Sequence, residues 1–247
     1  MCIILLAYRT DKNYPLIVAA NRDEFFDRPT VKAQYWSDYQ NVFAGRDEEQ
    51  GGTWLGVTQN GRFAAVTNWT ERTESSVKFR SRGHVVRDFL TSNIGSDEFT
   101  NDLDGHLYRG FNLVLFDGCD LIYWSNRSDE KKVLESGFYG VTNTSLDNDW
   151  TKTRVGVSMI AQVTNRHDVD SLIHMLRRHS SIGNSRPVNQ ELAESHQSPC
   201  FVFGETYGTR ASTAVVFDDK RIYFKEQQYG PRAVLGSSVY KSIPIQK

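Results

Sequence analysis

An α+β fold is predicted by three features of the chain. Strand signals crowd the first third and return near the end. Helix signals sit between them, and no internal repeat or linker interrupts the run. Grouping of this kind produces segregated helices and antiparallel sheets, whereas strict alternation would produce a parallel, doubly wound sheet. A single domain over residues 1–247 is expected.

Each element has its own signal. Ile3-Ile4-Leu5-Leu6-Ala7-Tyr8 is a short apolar run of the kind that forms a buried strand. Leu16–Ala20 is a second, and the polar turn Thr10–Pro15 makes the two a hairpin. After Asn21-Arg22-Asp23-Glu24 an irregular stretch to about Gly52 is expected. Thr53–Thr58 and Arg62–Thr67 then flank Asn60-Gly61, a tight-hairpin signal.

A helix from Gly83 to about Leu90 would put Val85, Val86, Phe89 and Leu90 on one face, and Asp97–Leu107 reads as a second helix. Strands resume at Phe111–Phe116 and Leu121–Trp124, joined at Asp117-Gly118, and again at Gly137–Thr142. Thr151–Val163 and Val169–Arg178 read as helices, the latter turning Leu172, Ile173, Met175 and Leu176 inward. Ser180–Ser198 reads as a polar loop. Cys200–Phe203, Ala211–Phe217 and Arg221–Lys225 close the chain as strands.

Composition narrows the function. Apolar residues make up 39% and charged residues 24%, enough for a core and too balanced for disorder. With 29 basic and 30 acidic residues the net charge is −1, so no nucleic-acid or anionic-membrane surface is expected. Cys2, Cys119 and Cys200 are far apart and odd in number, which argues against a disulfide framework or a cysteine-built zinc site and for a reducing compartment. The first apolar run is broken by Arg9, Asp11 and Lys12, unlike a secretory signal. Nothing approaches the roughly 20 apolar residues of a membrane helix. A cytoplasmic protein is expected; organelle association and oligomeric state stay open.

Cys2 carries the sharpest chemical suggestion. Removal of Met1 would set its thiol beside a free α-amine. An unperturbed α-amine titrates at about 7.7–8.0 and a thiol at about 8.5, so the amine can serve as general base near neutral pH. The bland alternative is a small residue entering a strand. Further polar groups fall at strand ends: Asn21-Arg22-Asp23-Glu24, Asn68, Asn143 and Tyr207-Gly208-Thr209-Arg210. Hairpin geometry puts Cys2 and Asn21–Asp23 at one sheet edge. Spacing alone does not bring Asn68, Asn143 and Arg210 there.

These blocks occur in order with Gly51-Gly52-Thr53-Trp54-Leu55-Gly56, Gly105-His106-Leu107-Tyr108, Phe111-Asn112-Leu113 and Gly140-Val141-Thr142-Asn143. Together, from residue 2 to about residue 216, they resemble the NRDE-motif family, also called the transport and Golgi organisation 2 family. The resemblance implies a four-layer αββα sandwich of the N-terminal-nucleophile hydrolase type. Through the more distantly similar cysteine amidases it implies Cys2 as nucleophile, Arg22 beside it, Asp23 (alternatively Glu24) as the aspartate, Asn68 and Asn143 on the oxyanion side, and Arg210 as a second arginine.

The family's associations point elsewhere: haem mobilisation and transport, lipid and acyl-metabolite homeostasis, and secretory-pathway organisation. On that basis an intracellular protein binding an amphipathic small molecule is the leading expectation, with haem as possible ligand and a cysteine amide or thioester hydrolase as the alternative. His106 would be the best placed of a weak set of histidine ligands. Trp54 and Trp69 would line a flat apolar pocket, although core packing explains them equally well. No metal site is expected.

Overall fold

The computed structural model describes residues 2–71, 78–128, 130–164, 168–177 and 200–246. The apolar run at the start becomes β1 (Ile3–Asp11), which turns tightly into β2 (Tyr14–Phe25) with Asp11 opposite Tyr14. β3 (Thr30–Tyr35), β4 (Val42–Asp47), β5 (Leu55–Thr58) and β6 (Phe63–Asn68) follow, then α1 (Arg82–Thr91) and α2 (Ser96–Asn101). Next come β7 (Phe111–Phe116), β8 (Leu121–Ser125), β9 (Glu130–Val133) and β10 (Gly137–Val141), then α3 (Thr151–Val163) and α4 (Val169–Arg177). β11 (Tyr207–Phe217), β12 (Arg221–Tyr229) and β13 (Leu235–Pro244) complete the described elements.

The strands form two antiparallel sheets. One runs β10-β1-β2-β11-β12-β13, the other β3-β4-β5-β6-β7-β8-β9. Side chains alternate across each strand. Ile4, Leu6 and Tyr8 of β1, with Val18 and Ala20 of β2, therefore face the second sheet and meet Phe43, Leu55, Val57 and Phe63. Ile3, Leu5 and Ala7 face the other way and pack beneath α3 and α4 against Ile160, Leu172 and Leu176. The outer face of the second sheet is covered by Val85, Val86 and Phe89 of α1. The layers are thus α3/α4, sheet, sheet, α1/α2: the expected αββα sandwich. Over Ile3–Tyr8 both faces of β1 are buried, which is why that stretch is continuously apolar.

Four expectations need correction. The stretch before Gly52 is not irregular; it forms β3 and β4. Only Ala33 is buried in β3, and Gly45, Arg46 and Asp47 break the apolar pattern of β4. The helix expected over Asp97–Leu107 ends at Asn101. Asp104 then caps a separate 3-10 turn, Gly105–Leu107, by accepting from the His106 N–H at 3.1 Å. Cys200–Phe203 is not a strand. It runs alongside β11, bonded through Val202 and Thr209. β12 continues to Tyr229, and β13 extends the sheet beyond it with a mostly exposed sequence that carries little apolar pattern.

The loop Ser180–Ser198 and residue Arg178 lie outside the described residues, as does Met1. No described helix is long and apolar enough to cross a membrane.

Candidate active site

β1 lies between β2 and β10, and register alone brings three candidate residues together. Ile3 is opposite Asn21, and Ile4 is opposite Val141. Continuing each ladder toward the chain start puts Cys2 between Arg22 and Asn143. The Cys2 backbone nitrogen donates to Asn143 Oδ1 at 3.1 Å, while Asn143 Nδ2 donates to the Asn68 carbonyl at 2.6 Å. A backbone bond from Thr70 to the Asn143 carbonyl, 2.8 Å long, ties the same residue to the end of β6. Asn143 therefore clamps the start of β1 to the second sheet.

The four residues after Ala20 divide by alternation. Asn21 and Asp23 point toward the helical layer and are buried. Asn21 donates to the Cys200 carbonyl at 2.5 Å and accepts from the Ser212 hydroxyl at 2.6 Å. Asp23 Oδ1 accepts from the Thr209 hydroxyl at 2.6 Å, and Lys152 Nζ of α3 lies 3.6 Å from Oδ2. Arg22 and Glu24 point the other way, 3.7 Å apart, into a cleft. The Arg22 guanidinium stacks on the Trp54 ring, 4.3 Å from its centroid. Trp54 in turn packs against Gly45, where a Cβ would fall 2.3 Å from the ring.

The cleft has a volume of about 580 Å³. Cys2, Arg22, Asp23, Asn68 and Trp54 all line it. The Cys2 sulfur is partly exposed there, 3.9 Å from the Asp23 carbonyl oxygen. That carbonyl also accepts from the Tyr207 hydroxyl at 3.2 Å. Burial pushes the Tyr207 phenol far up, helped by the negative charge of Asp23, so it acts as a neutral donor. Burial pulls the guanidinium groups of Arg22 and Arg82 down, opposed by the negative charge of Glu24 at Arg22 and of Glu71 at Arg82. Among the cysteines, Cys200 is buried and its thiol is pushed up to about 11 by desolvation, which makes it inert. Cys119 sits exposed in a surface turn.

Three expected site residues lie elsewhere. Arg210 Nη1 donates to the carbonyls of Phe25 at 3.2 Å and Arg28 at 2.5 Å, holding the turn after β2. Its displacement follows from a bulge between Thr209 and Ala211, which turns its side chain out of the strand pattern. His106 is exposed on the 3-10 turn, and Trp69 packs beside Gly110; neither lines the cleft. The resemblance to this family implies haem as a possible ligand. Among the described residues of the cleft, its donors are the Cys2 sulfur alone for iron and arginines for carboxylates, with no histidine on the wall.

Sequence reasoning missed Arg82 and Lys152, and it gave no role to Thr209 and Tyr207. The last two stand in the same block as Arg210, and a strand reading that allowed a bulge would have favoured Thr209. Arg82 and Lys152 arrive from helices and carry no local signal.

A family model for Transport and Golgi organisation 2 matches residues 1–231. The chain belongs to that family. Among relatives in the Transport and Golgi organisation 2 family, the Bos taurus "Transport and Golgi organization protein 2 homolog" is 34% identical over 266 aligned residues, covering 96% of this chain and 94% of its own. The Homo sapiens homolog is 31% identical, covering 92% of each. Among solved structures, a Caenorhabditis elegans N-acylethanolamine-hydrolyzing acid amidase ortholog superposes with a TM-score of 0.54 at 13% identity, over 87% of this chain and 92% of its own. At that identity the likeness speaks for fold alone, and the fold is that of the N-terminal-nucleophile hydrolases.

Proposed function

We propose that this member of the Transport and Golgi organisation 2 family is a cysteine amide or thioester hydrolase with Cys2 as nucleophile, active once Met1 has been removed. The observation that carries this reading is the bond from the Cys2 nitrogen to Asn143 Oδ1 beside a sulfur open to the cleft. With Met1 gone, that nitrogen becomes an α-amine whose orientation Asn143 sets. The amine takes the thiol proton, and the sulfur attacks the substrate carbonyl carbon. Asn68 and Arg22, both lining the cleft, supply donors for the oxyanion. Collapse of the tetrahedral intermediate breaks the bond to the leaving amine or thiol, which takes the proton back from the α-ammonium. Water, activated by the same amine, then hydrolyses the acyl-sulfur bond.

The test is intact-mass spectrometry of protein from its native host, before and after exposure to an activated acyl thioester. The expected result is loss of Met1 and gain of one acyl mass on Cys2, with no gain in Cys2→Ala. Retained Met1, or equal acylation of Cys2→Ala, would overturn the reading.

A second reading is carriage of haem, favoured by the single thiol donor in a cleft whose arginines suit carboxylates. It expects a saturable Soret shift on titration with haem that Cys2→Ala abolishes. A shift that never saturates, or one indifferent to that substitution, would remove it.

A further inference from the structure

The block Phe111-Asn112-Leu113 does not line the cleft, yet its central residue breaks the pattern of the core. On the inner faces of β6, β7 and β8, apolar residues such as Phe63, Ala65, Val114 and Leu121 pack against the first sheet. Two positions further along the same alternation, Thr67 of β6 and Asn112 of β7 stand opposite each other, both fully buried. Burying an amide between two sheets costs stability unless its hydrogen bonds are made.

Those bonds are made across the gap, to the segment that carries Asn143. Asn112 Nδ2 donates to the Thr142 carbonyl at 2.9 Å and to the Thr144 carbonyl at 2.8 Å. Thr67 Oγ1 adds a second bond to the Thr142 carbonyl at 2.5 Å and lies 3.2 Å from Asn112 Nδ2. The Tyr123 hydroxyl of β8 donates to Asn112 Oδ1 at 2.8 Å, and burial raises the pKa of that phenol, so it stays a donor. This bond fixes which way the amide faces, because a flipped amide would aim its oxygen at two carbonyls. On the other side of the segment, Asn148 Nδ2 donates to Thr142 Oγ1 at 2.7 Å and to the Ser145 carbonyl at 3.0 Å. Both neighbours of Asn143 are thus held at their carbonyls, while Asn143 itself joins the Cys2 nitrogen to the Asn68 carbonyl.

We propose that Asn112, oriented by Tyr123 and assisted by Thr67, is a positioning residue that sets Asn143 and, through it, the nitrogen of Cys2. Asn112 acts through one backbone segment and does not reach into the cleft. Apolar residues at these three positions would fill the same space, but they would leave the Thr142 and Thr144 carbonyls without these donors. The consequence for Cys2 follows from the order of contacts. Once Met1 is gone, an acceptor at Asn143 Oδ1 favours the charged form of the α-amine, and an ammonium beside the sulfur favours the thiolate. Releasing Asn143 weakens both effects. Arg22, Asp23, Glu24 and Arg82, which line the cleft with the sulfur, and Tyr207 beside it are untouched by the variants below. The value of the placement to catalysis rests on the proposed nucleophile; the placement itself does not.

The test is the pH profile of Cys2 alkylation by iodoacetamide, read at the Cys2 peptide by mass spectrometry, on protein prepared with Met1 removed. Thr67→Val exchanges a hydroxyl for a methyl of the same shape, and Tyr123→Phe removes the bond that orients the amide. Each should slow alkylation at neutral pH about fivefold, the worth of one net hydrogen bond, and raise the midpoint of the profile. Asn112→Asp keeps the acceptor, loses both donors and should slow it further. Thr67→Ser retains the hydroxyl and should restore the parent's rate. Phe99→Leu, which loosens the outer layer against Phe89, should lower Tm without moving the profile. Parent-like profiles in Thr67→Val and Tyr123→Phe would overturn the proposal, whether or not Asn112→Asp folds. So would an equal shift in Phe99→Leu. If alkylation follows this dependence but a thioester leaves no acyl group on Cys2, the hydrolase reading falls and the positioning role stands.

Discussion

At the scale of single residues, the behaviour of the four-residue run Asn21–Glu24 follows from strand alternation. Two of its side chains belong to the buried layer and two to the cleft, so one motif both anchors and equips the site. Glu226 shows the same economy on β12 of the same sheet. Its side chain is fully buried between the sheets, and Oε1 accepts from the Ala33 N–H at 2.9 Å and from Gln228 Nε2 at 3.0 Å. Desolvation raises its pKa, and the two hydrogen bonds and Arg22 oppose that only in part. A carboxyl that holds its proton more tightly when folded contributes stability below the unfolded glutamate value. It loses that contribution as pH climbs through the raised folded value. Glu226→Gln removes the titration. The difference in Tm between variant and parent should therefore shift in the variant's favour from about pH 5 to 8. At the acid end the variant should be less stable by about 1 kcal/mol, because the new amide hydrogens lack acceptors. A Tm difference that stays flat across this range would refute the buried titration.

At the scale of elements, Gly51-Gly52-Thr53-Trp54 joins β4 to β5 and also seats the N-terminus of α1. A Cβ on Gly52 would fall 2.4 Å from the carbonyl carbon of Gly83 and 2.9 Å from the His84 nitrogen. Those are backbone atoms, so the helix itself would have to move. Gly52→Ala should cost about 1–3 kcal/mol in denaturant unfolding. Ser81 precedes the helix but makes no side-chain capping bond, so Ser81→Ala should stay within about 0.5 kcal/mol of the parent. Equal effects of the two substitutions would mean that the close approach is not what fixes α1.

At the scale of the whole molecule, the sandwich holds Cys2 at the meeting of two sheets, where one sheet supplies both Cys2 and its clamp Asn143, and Asn143 ties them to Asn68 of the other. The strands buried on both faces, β1 over Ile3–Tyr8 and β7, were legible because nearly every such position is apolar, Asn112 of β7 being the exception. β3 and β13 were not, since half-exposed strands with one buried position leave almost no periodicity. The helices α1, α3 and α4 were legible from their apolar faces. Cys2, Arg22, Asp23, Asn68 and Asn143 were legible as a set only through family resemblance. Arg210 was misplaced because a bulge at its own position is invisible in the sequence. By itself, then, the sequence determined the α+β class, the hairpin that pairs Cys2 with Arg22, and the membership of a family. Those depend on local pattern and on near-neighbour register. Only the tertiary structure decided that Asn143 holds the Cys2 nitrogen, that Lys152 and Thr209 hold Asp23, and that Arg82 of α1 lines the same cleft as Cys2. Each of those contacts joins segments far apart in the chain, and packing between layers, not spacing along the sequence, sets the distance.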